Sequence, residues 1–223
     1  MFDPYIIQST PIANSRALVI DSNTKWVSIG NTGITGNWTI SIWVYNKFST
    51  SPIHYVLNTK DGRGGIFVEY GAQSDKWGFY DGTTIAIANT NLNENQWYFL
   101  TVTNVGGSYK FYVNGVADGS KTMSNTAISD LIIGRRADTI SLTPIADFGE
   151  LSVWNKELSL AEILEAKGLC DLTTHSAAAT NLNNYYGFKA TDISGTTLID
   201  RKANKNGVLV GSPTFIDTAC PPV

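Results

Sequence analysis

Charge is scarce in this sequence. Only 16% of its 223 residues are Asp, Glu, Lys or Arg, and the formal net charge is −3. Lys and Arg are scattered, so no basic footprint exists for nucleic acid or an anionic membrane. Histidine and cysteine are nearly missing, with two of each. No Cys/His set has metal-ligand spacing, and no Gly-x-Ser-x-Gly nucleophile elbow occurs. No run of 18 apolar residues is present, which excludes a membrane-spanning helix read from hydropathy. The opening Met1-Phe-Asp-Pro-Tyr-Ile-Ile-Gln8 lacks a basic region, an apolar stretch and a cleavage site. It is therefore not expected to be a signal peptide. Gly62-Arg-Gly-Gly65 is Gly-rich but has neither the following helix pattern nor the Lys-Ser/Thr of a phosphate loop. It reads as a connection between strands.

What the chain has is β-strand signal. Aromatics make up 11% of it, and so apolar and weakly charged a composition argues against disorder. The length suits one large β domain or two small ones. A chain of this size buries roughly 70% of its unfolded surface and needs no staples. Ala17–Asp21 and Trp26–Ile29 read as two strands paired around a polar turn. In Trp38–Val44, Trp38, Ile40, Ile42 and Val44 share one face, and Thr39, Ser41 and Trp43 the other. Trp77–Ile87 contains Asp81-Gly82, and Tyr109–Val113 ends in Asn114-Gly115. Both dipeptides are hairpin signals. Gln96–Thr103 and Leu131–Gly134 complete the series. Many short strands with Gly-rich turns point to an antiparallel β-sandwich.

One segment is specified more sharply. In Phe148–Trp154, Leu151 and Val153 point one way, and Glu150, Ser152 and Trp154 the other. A short helix follows. Ser159 and Glu162 form a Ser-x-x-Glu capping box, and Leu158 with Ile163 a hydrophobic staple. Gly168 is a natural stop.

This strand–helix unit resembles the closing motif of laminin G-like domains in the concanavalin A-like lectin superfamily. Four further landmarks agree in order: Ala17-Leu-Val-Ile-Asp21 with Trp26-Val-Ser-Ile29, Trp38–Val44, Gln96-Trp97-Tyr98 with Phe111-Tyr-Val-Asn-Gly115, and Ile133-Gly134. The resemblance runs from about residue 17 to 167. It implies an all-β, two-sheet antiparallel jelly-roll sandwich, concanavalin A-like, with one short helix near the end of the main domain. The division expected is a sandwich at 1–170 and an extension at 171–223. Leu182–Phe188, Asp192–Asp200 and Asn206–Phe215 resemble a tract that often flanks such domains. They are expected to pack on the sandwich as extra strands.

Chemistry is sparse. Glycoside hydrolysis needs two carboxylates aimed at one bond, and no strand carries a same-face pair. Glu69, Glu94 and Glu150 are isolated. His54 and His175 lie in different regions, without the partners a lyase base needs. Laminin G-like and pentraxin-like relatives often hold calcium on rim loops, so Asp61, Asp81 and Asp138 are calcium candidates. Each also reads as a turn residue. Lys25 stands where the family places an acid, which weakens one such site. For a glycan, the candidates are Tyr70, Gln73, Trp77, Tyr80 and Asp81, since a sugar ring stacks on an aromatic face beside polar groups. Trp77 reads more strongly as core, joining Trp38, Trp43, Trp97 and Trp154. Asn37-Trp38-Thr39 is a glycosylation sequon, but Trp38 reads as buried. Cys170 and Cys220 are either a disulfide or two free thiols in a reducing compartment.

The resemblance implies recognition and adhesion rather than catalysis. Without a secretion signal, the expectation is a non-enzymatic phage virion protein, a head decoration or tail-fibre component. It would sit on the virion surface among other virion proteins, as a homo-oligomer or in many copies, and adhere to host-surface glycans. No nucleic acid or membrane insertion is expected. The alternatives are a secreted or surface bacterial carbohydrate-binding module, extracellular in location, and a polysaccharide lyase.

Overall fold

Period-two alternation is realised as strands along most of the chain. The computed structural model describes residues 16–47, 53–61, 64–68, 76–138 and 145–220. The strands are β1 (Arg16–Ile20), β2 (Trp26–Gly30), β3 (Trp38–Asn46), β4 (His54–Asn58), β5 (Gly65–Val68), β6 (Lys76–Tyr80), β7 (Ile85–Asn91), β8 (Trp97–Val105), β9 (Ser108–Val113), β10 (Val116–Thr122), β11 (Leu131–Ile133) and β12 (Ala146–Trp154). Helices α1 (Leu160–Gly168) and α2 (Ala178–Asn181) follow. The last strands are β13 (Leu182–Tyr186), β14 (Ile193–Ser194), β15 (Thr197–Leu198), β16 (Gly207–Val210) and β17 (Thr214–Asp217).

They form two antiparallel sheets. The first runs β10-β9-β8-β3-β12-β1-β17, with β13 also on β12, and the second runs β14-β15-β16-β2-β11-β4-β5-β6-β7. Their inner faces enclose one core, where Trp38, Phe79 and Tyr109 pack with ring centroids 5.2–5.7 Å apart. Trp38 Nε1 donates to Thr126 O at 2.8 Å, so its polar edge is satisfied inside. This is the jelly-roll sandwich that the alternation and the family resemblance imply.

The first two strands do not pair with each other. β1 pairs with β12 and β17 in one sheet, and β2 with β11 and β16 in the other. Leu18 and Ile20 face the core from one side, Val27 and Ile29 from the opposite side. Alternation cannot separate a hairpin from a crossing between sheets, because both put the same residues inward. The two turn signals also differ. Asn114 and Gly115 both take positive φ, at 54° and 80°, as a two-residue hairpin turn requires. At the other turn only Gly82 does, and the loop closes through Asp81 N–H to Thr84 O.

The residues after 170 enter both sheets. β13 pairs with β12, β17 with β1 and β16 with β2. Tyr186, Phe188, Leu198 and Leu209 lie in the same core as Trp38. Asp200 organises the loop that follows. Its carboxylate accepts from Asn184 Nδ2, Tyr185 N, Lys202 N, Asn204 N and Lys205 N. Cys170 and Cys220 are joined, with Cα atoms 5.5 Å apart. Replacing both by serine should cost about 2–4 kcal/mol, mainly by freeing the unfolded chain. An unchanged urea midpoint would mean that strand pairing alone holds the tail.

Helix α1 starts as its sequence specifies. Ser159 Oγ accepts from Glu162 N at 3.3 Å, and Glu162 Oε2 accepts from Ser159 N at 2.7 Å. Leu158 and Ile163 are buried together under the cap. Ser159→Ala should cost about 0.5–2 kcal/mol, read as a lower thermal midpoint. No change would show that Glu162 alone suffices. With Leu172, Ala177 and Ala178 after it, α1 covers the outer face of the first sheet over Trp43, Phe99 and Trp154.

Candidate functional site

Among the described residues of the aromatic cluster considered for glycan binding, Trp77 and Asp81 are buried. On β6, Trp77 and Phe79 point inward, while Lys76, Gly78 and Tyr80 point outward. Trp77 is 0% exposed. Its ring meets Phe111 edge-on at 5.7 Å, and its Nε1 donates to Asp118 Oδ2 at 2.8 Å. No sugar can reach either ring face, so Trp77 is a core residue. The five-residue alternation itself carried that signal. Tyr80 is half-buried and donates its hydroxyl to Gly82 O at 2.8 Å. Asp81 is buried: Oδ1 accepts from Thr83 N, Thr83 Oγ1 and Thr84 N, and Oδ2 from Ser124 N. Burial raises its carboxyl, but these hydrogen bonds prevail and hold it below the usual range. It is a turn residue with its acceptor sites taken. Tyr70, Gln73 and Glu69 lie outside the described residues.

The calcium candidates do not converge. Asp138 is paired with Arg136, Asp81 is occupied as above, and Asp61 is exposed on its own loop. Among the described residues no group of three or more His, Cys, Asp or Glu side chains could hold a metal. These residues do not fit a calcium site. Lys25 pairs with Asp21 at 2.8 Å.

The isolated ionisable groups have structural work. His175 is buried against Trp154, with ring centroids 4.6 Å apart. Its Nδ1 accepts from Ala177 N at 3.0 Å, which leaves Nε2–H to donate to Glu162 O at 2.9 Å. Both nitrogens are engaged, so it is not placed as a lyase base. Glu150 sits at a register shift in β12 with φ of 43° and is 5% exposed. Tyr185 donates its hydroxyl to Glu150 Oε2, and Cys220 Sγ lies 4.0 Å from Oε1. Burial pushes the Glu150 carboxyl up to about 8. The C-terminal residues cover it, so no polysaccharide reaches it.

An open concavity among the described residues lies elsewhere, on the outer face of the first sheet beside α1. Register places Tyr112 in a row with Thr101, Ser41 and Ser152, and Lys110 in a row with Thr103, Thr39 and Trp154. Helix α1 packs over the Trp43, Phe99 and Trp154 part of this face and reaches the β9–β10 turn through Leu164, with Tyr112 at the margin of its cluster. A hollow of about 330 Å³ lies there between β9 and the start of α1, lined by Lys110, Tyr112, Lys156, Glu157, Leu160 and Glu162. A second, of about 300 Å³, continues across the hairpin from β9 onto Ala117, Gly119 and Ser120 of β10, and shares Lys110 and Tyr112 with the first. Both match small-molecule sites in size, whose range starts at about 300 Å³.

Two ion pairs furnish the groove. Lys110 Nζ lies 2.8 Å from Glu157 Oε1, and Lys156 Nζ 2.7 Å from Glu162 Oε1. Glu157 raises the Lys110 ammonium above its ordinary value. Slight burial raises the Glu162 carboxyl, but Lys156 and Ser159 outweigh it and hold it at about 2. The wall is anchored. Thr39 Oγ1 donates to Lys156 O at 2.8 Å and accepts from Leu158 N at 2.9 Å, and the capping box fixes Glu162. Tyr112 is half-buried at the centre, its phenol kept neutral by burial. Fixed donors and acceptors around an aromatic ring can bind a polyol.

None of these residues was singled out from the sequence for binding, and Ser159 and Glu162 were read there only as a helix cap. The alternation of β9 does put Lys110 and Tyr112 opposite buried Tyr109 and Phe111. The wall arrives from more than forty residues away, and local pattern carries no sign of it.

The family model described as the concanavalin A-like lectin/glucanases superfamily matches residues 21–164. Among solved structures, a "putative carbohydrate binding protein" of Bacteroides ovatus superposes with a TM-score of 0.74 at 16% identity, covering 94% of this chain and 61% of that one. The chain therefore spans less than two thirds of that relative. The heptameric SAP-like pentraxin of Limulus polyphemus gives 0.60 at 11% identity, covering 93% and 96%. Domain 4 of the extracellular arabinanase AbnA of Geobacillus stearothermophilus, solved with arabinotriose, gives 0.54 at 16%, covering 67% and 75%. At these identities the likeness is one of fold. No match is found among curated proteins.

Proposed function

The chain belongs to the concanavalin A-like lectin/glucanases superfamily, and from that premise we propose that it is a non-catalytic carbohydrate-binding module. The observation that carries this reading is the groove at Tyr112, where a half-buried ring is flanked by anchored Lys–Glu pairs. Two of its three cited neighbours of fold are named for, or solved with, carbohydrate. The non-catalytic part rests on the carboxylates. Glu157 and Glu162 are each tied to a lysine, and Glu150 is sealed beneath Tyr185 and Cys220.

Display on a phage particle, as a head decoration or tail-fibre component in many copies, is the setting we propose. It is supported by the sparse charge and by the flanking tract after residue 182. Weak single sites would then act through avidity. The Cys170–Cys220 disulfide also suits the secreted or surface alternative, because disulfides persist outside reducing compartments. Labelled protein on a glycan array should bind a restricted set of glycans, and Tyr112→Ala should lose them. Turnover of any polysaccharide by the purified protein would overturn the non-catalytic reading. Immunogold labelling of virions, set against secreted bacterial fractions, separates the two settings.

A further inference from the structure

We propose that the groove takes an uncharged saccharide of at least two units, laid across the β9–β10 hairpin with Tyr112 beneath the junction between them. The inference rests on the carbohydrate-binding reading and adds the ligand class and its direction.

Charge decides the class. The two lysines that line the groove, Lys110 and Lys156, each already face a glutamate at 2.8 and 2.7 Å. A uronate or sialate would have to displace one of those glutamates, and then lie beside it as a like charge. A neutral sugar needs no displacement. Each of its hydroxyls both donates and accepts, so adjacent hydroxyls can give to a Glu oxygen and receive from the neighbouring Lys at once.

The direction follows from the second hollow. It shares Lys110 and Tyr112 with the first and leads away from α1 over Ala117, Gly119 and Ser120. The acid of that stretch is turned out of the way. At the bulge between Ala117 and Ser120, Asp118 points inward and accepts from Trp77 Nε1, Thr90 N and Thr90 Oγ1. Small and uncharged residues therefore floor the hollow, as a ring packed edge-on to a sheet requires. The first unit would sit between Tyr112 and the Lys110–Glu157 pair, and the second over Gly119 and Ser120.

Calorimetric titration of the full chain tests this. The probes are malto-, cello- and manno-oligosaccharides from mono- to tetrasaccharide, with oligogalacturonates of the same lengths. One neutral series should bind. Its dissociation constant should fall about tenfold from mono- to disaccharide and little thereafter. Ser120 is exposed, so Ser120→Trp should fold normally, fill the second hollow and abolish the gain from the second unit while leaving the monosaccharide bound. Tyr112→Ala should weaken both by about tenfold. Unchanged far-ultraviolet circular dichroism and urea midpoints would show that both variants are folded. Tighter binding of oligogalacturonate, or a disaccharide gain that survives Ser120→Trp, overturns the inference and leaves the carbohydrate-binding reading standing. Absence of binding to any saccharide, on these series and on the array, overturns that reading and the inference with it.

Discussion

Trp77→Ala should cost about 3–5 kcal/mol of stability, the usual toll for emptying a large aromatic site in a close-packed core. The indole is fully buried and packs edge-on to Phe111. It also holds Asp118 by the 2.8 Å bond from Nε1. Removing it leaves a cavity and takes one donor from a carboxylate that is 4% exposed. Asp118 would keep only Thr90, and underpaired buried charge adds to the cost. The pair also links the edge strands of the two sheets, because Asp118 lies on β10 and Thr90 on β7. Urea unfolding should show a strongly lowered midpoint. Trp77→Phe should recover the packing in part but not the bond to Asp118. A near-neutral alanine variant would place the ring at the surface and reinstate it as a glycan platform.

The stability of this protein should fall as pH rises from about 4.5 to about 8, and Glu150→Gln should remove most of that fall. In the unfolded chain the Glu150 carboxyl releases its proton near 4.5. In the native state burial holds the proton up to about 8. Between those values the native state binds the extra proton, so stability declines with pH, at up to about 1.4 kcal/mol per unit. The contribution is complete below 4.5 and gone above 8. Glutamine keeps an acceptor for the Tyr185 hydroxyl but cannot ionise, so the variant should outlast the parent at pH 8 and roughly match it near pH 4.5. Glu162 acts with the opposite sign. Its carboxyl is depressed to about 2, so its contribution is present above 4.5 and is lost as pH falls toward 2. Urea midpoints of both proteins across this range test the assignment. Parallel curves would mean that water reaches Glu150.

Much of the architecture could be read along the chain, because a strand exposes its environment at every second residue. Trp38, Ile40, Ile42 and Val44 were bound to line the core, and Leu151 and Val153 to share it. The Ser159–Glu162 box specified the helix start from four residues, since capping is local chemistry. Asn114-Gly115 specified its turn for the same reason. Each of these features depends on neighbours a few positions away.

What depended on distant neighbours was decided only by the tertiary structure. Whether β1 and β2 pair or part is set by β12, β16 and β17, which arrive over a hundred residues later. Glu150 reads as an exposed polar residue of a strand. It becomes a buried, proton-holding group because Tyr185 and Cys220 close over it. Trp77 ceased to be a glycan candidate on the same grounds, because the first sheet folds over its ring. The order of residues sets which way a side chain points, and both pointings were legible. Whether a face is then covered or left open depends on what else folds onto it. Helix α1 and the residues after 170 seal part of the outer sheet face, with Tyr112 packed at the margin, and the groove lies beside that margin.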